Sequence, residues 1–191
     1  MSNKVTIHIA GLDITVAEKF VSGNTIRMNH VAAANAVKQY VKARFPEVVV
    51  SAKSDSFSMG NSVDVYLSDE FGQPVDREIS KDVQAFGDLF VYGKFDGMTD
   101  MYEYTRKDFA VGSYVIDPSV KYLTVQNRAQ HGSVADTVRM LIDMTTTERY
   151  NFGMISLEEA IIQARRFGAS QANIDKAMKI YSKAISENVN V

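Results

Sequence analysis

Between residues 26 and 90 the apolar pattern changes period repeatedly, and the order of those changes limits the chain to a small set of folds. Val31, Ala34, Val37, Val41 and Phe45 recur at intervals of three and four, the spacing that places side chains on one face of a helix. The pattern predicts a helix from about Ile26 to Arg44, capped by Asn24 or Thr25 and stopped by Pro46. Residues 48–52 are then rich in β-branched side chains, 54–61 form a polar loop, and 62–67 alternate apolar with polar, which together predict a β-hairpin. Beyond the break at 69–74, Val75, Ile79, Val83, Phe86 and Phe90 follow one stripe of a second helix. A helix–strand–strand–helix unit of this kind buries both helices against one sheet face.

The flanks extend this unit. Val5, Ile7 and Ile9 alternate with Thr6, His8 and Ala10 as in a half-buried strand, and Ile14 and Val16 supply a return strand after a turn at Gly11 and Asp13. Residues 110–116 and 121–126 read as strands separated by the Asp117-Pro118 turn. Helices follow: one opened by Ser133 and Asp136 with Val134, Val138, Leu141 and Ile142 on its apolar side, and one opened by the Ser156/Glu159 capping box and closed by Gly168. A last helix carries Ile174, Ala177, Met178, Tyr181 and Ile185. The expected fold is α+β: a small, mainly antiparallel sheet with two packed helices over residues 1–130, then a helical extension over 131–191.

Composition narrows the chemistry. The chain has 191 residues and no cysteine, which excludes disulfides, thiolate catalysis and sulfur-bound zinc. There is no Walker pattern, no G-x-G-x-x-G after a strand and no G-x-S-x-G elbow, so no cofactor is expected. His8, His30 and His131 form no i, i+4 pair and read as structural or surface residues. The N-terminus does not resemble a secretory signal and no run is long enough to span a bilayer, so a cytoplasmic location without membrane association is expected. The net charge of −2 is unevenly spread: +3 over residues 1–60, −6 over 61–110 and +1 over 111–191.

The acidity centres on residues 92–104, where four aromatics, two methionines and three carboxylates fall within thirteen positions. So much apolar area predicts a packed connection that closes an edge or end of the sheet. Asp96, Asp100, Tyr102, Glu103 and Tyr104, with Phe71, are the candidate partner-binding residues, because such rings mark interfaces and the carboxylates suit a basic partner. No metal site is assigned. Asp96, Asp100 and Glu103 would share a side if the segment were helical, which would suit Mg²⁺, but Gly97 argues against a helix. Lys38, Lys42 and Arg44 with Lys53 and the ring of Tyr40 make a candidate nucleic-acid patch, against the plainer reading of a solvated helix face.

The helix ending in Arg44-Phe45-Pro46, the Ser-rich hairpin, the second helix, the run Phe95-Asp-Gly-Met-Thr-Asp-Met-Tyr-Glu-Tyr104 and the late strand at 120–128 together resemble the large polyvalent protein associated domain, type twenty-nine. The resemblance covers roughly residues 25–130. It implies a small α+β module of phages and conjugative elements, delivered into or expressed in a host, and carries no known reaction. The resulting expectation is a mobile-element accessory protein that binds a host protein or protein–nucleic acid complex and inhibits a host defence or nucleic-acid-processing system. The alternatives are direct nucleic-acid binding and an Mg²⁺-dependent enzyme acting on nucleotides. The apolar stripes of the C-terminal helices add a homodimer as a further expectation.

Overall fold

The computed structural model of the chain describes residues 4–96, 101–103, 107–146 and 153–186. The first elements are β1 (Lys4–Ile9), β2 (Leu12–Ala17), β3 (Val21–Ser22), β4 (Thr25–Met28) and α1 (His30–Arg44). There follow β5 (Val49–Phe57), β6 (Gly60–Ser68), α2 (Arg77–Asp88), β7 (Lys94–Asp96) and β8 (Met101–Glu103). The chain continues through β9 (Phe109–Val111), β10 (Tyr114–Pro118), β11 (Tyr122–Gln126), α3 (Val134–Thr146), α4 (Leu157–Arg166) and α5 (Gln171–Ser186). The class is α+β, as the sequence predicts.

Two compact units are present, one comprising Met1–Pro46, Val50–Tyr66 and Asp76–Gln126, the other Glu47–Val49, Leu67–Val75 and Asn127–Val191. In the first, the strands form small separate sheets: β1 with β2, β3-β4-β10-β9, β11-β6-β5, and β7 with β8. β4 lies parallel to β10, and β6 parallel to β11. Parallel neighbours need a long crossover, and α2 lies within the connection from β6 to β11.

Several local expectations are corrected. The first helix begins at His30, because Ile26 and Met28 alternate with Thr25 and Arg27 as a buried strand, β4. Asn29 is the true cap, its Oδ1 accepting from the N–H groups of Val31 and Ala32. The supposed loop at 54–61 is mostly strand, since β5 and β6 are joined by residues 58–59 alone. The single strand read at 110–116 is the β9/β10 hairpin, turning at Gly112 with φ +58.

Four side-chain amides clamp backbone that sheet pairing leaves open. Gln39 accepts from Thr15 N–H and donates to Thr15 C=O. Gln84 does the same for Val125 N–H and Leu123 C=O on the outer edge of β11, and Asn61 for Lys121 N–H and Ser119 C=O. In the second unit Asn127 does so for Val75. Each amide offers one acceptor and one donor, the complement of an exposed backbone pair, and Gln39 and Gln84 so blunt the edges of β2 and β11 against stray pairing.

The second unit packs α3, α4 and α5 around Val138, Leu141, Ile142, Ala160, Ala177 and Ala184, all buried. The alanines let the helices approach closely. The capping box at the start of α4 is formed, with Glu159 N–H donating to Ser156 Oγ and Ser156 N–H donating to Glu159 Oε2. Gly168, at φ +89, follows that helix as expected.

Candidate functional site

The described parts of the central segment include two short antiparallel strands and no helix. β7 and β8 pair antiparallel, with Lys94 opposite Glu103, Phe95 opposite Tyr102 and Asp96 opposite Met101. Among the described strands they pair only with each other, while Tyr92 N–H, at the start of the segment, donates to Val120 C=O. Asp96 and Glu103 therefore lie in strands and do not share a helix. Asp96 and Tyr102 have a place in strands, Glu103 is exposed, and Asp100 and Tyr104 lie outside the described residues. Among the described residues no group of three His, Asp or Glu side chains could hold a metal ion. Phe71 is half-buried against the helical core of the second unit.

The basic-aromatic patch on α1 separates into two. Tyr40 is 4% exposed and stacks on Phe86 with centroids 4.0 Å apart, so it offers no ring to a base. Its hydroxyl donates to Asp82 Oδ2 at 2.7 Å, and Arg44 Nε meets the same oxygen at 3.0 Å. Tyr40 and Arg44 thus tie α1 to α2. Lys38 and Lys42 lie on another side of the helix, and Lys53 stands exposed on β5.

Burial and then the Asp82 hydrogen bond push the Tyr40 phenol up from 10.0 to about 12. A raised folded-state value means the stabilisation is whole below pH 10 and fades as the pH rises toward 12. The amount is on the order of 2 kcal/mol. Denaturant titrations across this range should show that loss in the parent and a flatter profile in Tyr40→Phe; matching profiles would contradict the assignment.

An exposed apolar cluster lies on the β11-β6-β5 sheet. Along β6, Val63 and Val65 are fully buried and pair with Leu123 and Val125, which puts Ser62, Asp64 and Tyr66 and their partners Tyr122, Thr124 and Gln126 on the opposite face. On that face Phe57 and Tyr122 stack at 6.4 Å, with their planes 16° apart. Gly60 makes the room: a Cβ there would stand 2.5 Å from Lys121 Cδ and 3.4 Å from Phe57 Cε2. Lys121 Nζ donates to Met59 C=O and sits 5.3 Å over the Tyr122 ring. Met59 is 79% exposed, Phe57 45% and Tyr122 40%. Sequence reasoning passed over this cluster because Phe57 and Met59 fell inside a segment read as polar loop. Two large apolar residues alternating with serines just before a glycine are the available signal.

A second concavity, of about 550 Å³, opens in the helical unit, with Met140, Met144, Ile155 and Phe167 as apolar walls and His131, Asp136, Arg139 and Asp143 as polar groups. Asp136 is 4% exposed, and its oxygens meet Gly132 N–H, Arg139 Nη2 and His131 Nδ1. Both carboxylate oxygens are engaged, so Asp136 fixes the loop before α3 to the helix. An Nδ1–H donated by His131 leaves its Nε2 as an acceptor.

These features define an α+β protein of paired compact units whose first unit presents an aromatic sheet face. The family model of large polyvalent protein associated domain 29 matches residues 28–152, about two thirds of the chain, and the chain belongs to this family. Membership ties it to proteins of phages and mobile elements. No curated protein and no solved structure matches it. No helix among the described residues is long and apolar enough to cross a membrane.

Proposed function

We propose that this chain is an accessory protein of a mobile element that acts by binding a host protein, and that the target belongs to a host defence or nucleic-acid-processing system. The observation that carries the reading is the group of Phe57, Met59 and Tyr122, each well exposed, on one face of the β11-β6-β5 sheet. Aromatic and methionine side chains are enriched in interface cores, where a few of them dominate affinity. The stacked pair is held in place by Gly60 and Lys121, so little side-chain freedom is lost on docking. Charges of both signs surround it, Lys53, Lys121, Asp55 and Asp64, a mixture suited to a protein surface more than to a polyanion. The mobile-element setting comes from the family, and the choice of a host target rests on that setting.

Co-purification from host cells tests it. The parent chain should retain one partner in fixed stoichiometry, and the double variant Phe57→Ser/Tyr122→Ser should lose at least tenfold of it while melting at the same temperature. Equal retention by the variant would remove the sheet face from the account.

A further inference from the structure

A separate surface of the first unit points to a second ligand. Between the β1/β2 hairpin and α1 runs a groove of about 560 Å³ lined by Lys4, Thr15, Ala17, Asn35, Lys38, Gln39 and Lys42. Three lysines line it and no Asp or Glu does. Lys38 and Lys42 are four residues apart on α1, one turn of about 6 Å along the axis. Lys4 comes from β1. Among the described residues none of the three meets a carboxylate within ion-pair distance, whereas Lys81 is paired with Glu78 and Arg44 with Asp82.

Gathering three like charges without a counter-charge is unfavourable, and an anion seated between them would relieve the repulsion. The groove is also firmly built. Gln39, on its floor, holds Thr15 through both N–H and C=O and donates to Asn35 C=O as well, which fixes helix and hairpin together.

We propose that this groove binds the phosphodiester backbone of a nucleic acid. A run of phosphates matches lysines contributed by a helix and a strand along an open groove better than a single phosphate does. A lipid surface would call for large apolar side chains beside the lysines, and Ala17 is the one apolar residue in the lining. No aromatic ring lines it, so the contact reads charge and carries no base preference. The inference stands on different residues from the sheet face and does not depend on it.

The test is fluorescence anisotropy of the full chain with labelled single-stranded and duplex DNA, the parent against Lys38→Gln/Lys42→Gln, with inorganic phosphate and phosphatidylserine vesicles as separate arms. If three phosphates are neutralised, log K should fall against log salt with a slope of about −2 on single strands or about −3 on duplex. The double variant should bind at least tenfold more weakly, with a slope shallower by about 1.4 to 1.8. Arg44→Gln, outside the groove, should bind as the parent does. Absence of DNA binding at 50 mM salt, an unchanged slope in the double variant, or binding to vesicles alone would overturn the proposal.

Discussion

Gly72→Ala should destabilise the second unit by about 3 to 5 kcal/mol, the largest effect of any single methyl group in this chain. Gly72 is buried, with φ at +80, a region that costs an L side chain energy before any contact is counted. A Cβ there would also stand 2.3 Å from the carbonyl oxygen of Ala135 and 2.9 Å from its carbon. Those atoms belong to the backbone of a packed helix and cannot swing aside. The loop has no slack either, because Asp69 Oδ1 already holds the N–H groups of Phe71 and Gln73. Gly11 supplies the comparison: its φ is +78, yet nothing lies within 4 Å of a Cβ built on it. Gly11→Ala should therefore cost only about 1 kcal/mol. Hydrogen exchange of the α3 amides reads the difference: much faster exchange in Gly72→Ala, near-parent rates in Gly11→Ala. Equal rates in the two variants would show that the close approach to Ala135 does not exist.

Asp136→Ala should cost about 3 kcal/mol or more. The carboxylate joins Gly132 N–H at 3.0 Å, Arg139 Nη2 at 2.9 Å and His131 Nδ1 at 3.2 Å, from a position almost closed to water. Removal strands the Gly132 donor and leaves Arg139 with Asp143 at 3.4 Å. His131 is mostly exposed, so its share is small and salt-screened; the loss comes from the backbone donor and the guanidinium. A drop in melting temperature of about 6 °C or more is expected for a protein of this length. Asp136→Asn, which keeps the shape and one carbonyl oxygen, should fall between the two. A melting temperature unchanged by Asp136→Ala would contradict the role.

The long apolar stripes were legible because they repeat. Val83 and Phe86 on α2, Phe90 just beyond its end, and Val138, Leu141 and Ile142 on α3 reach the buried positions that their spacing predicts. The Ser156/Glu159 box was legible because both halves of the motif lie within four residues. Short strands were not. β4 has four residues, and its Ile26 and Met28 blend into the helical spacing that follows, so the spacing predicts a cap at Asn24 or Thr25 instead of Asn29. The amide clamps were invisible for another reason: Gln39 and Thr15 are twenty-four positions apart, and nothing local marks a glutamine that will meet a strand edge. Tyr40 misled in the opposite way. Its neighbours Lys38 and Lys42 are polar, which suggested an exposed ring, yet a residue two places away on a helix points to a different side. For the proposed binding surface, the density of aromatic and acidic residues points to residues 92–104, while the stacked rings of Phe57 and Tyr122 are separated by sixty-five positions and meet only across β6.

The proposed docking of a host protein on this sheet face is tested most directly by hydrogen-exchange footprinting of the intact chain with its co-purified partner. Slowed exchange should appear at residues 53–66 and 121–124 when the partner is bound, with α4 and α5 unchanged. Protection confined to the β7/β8 hairpin, with residues 53–66 exchanging as in the free chain, would contradict it.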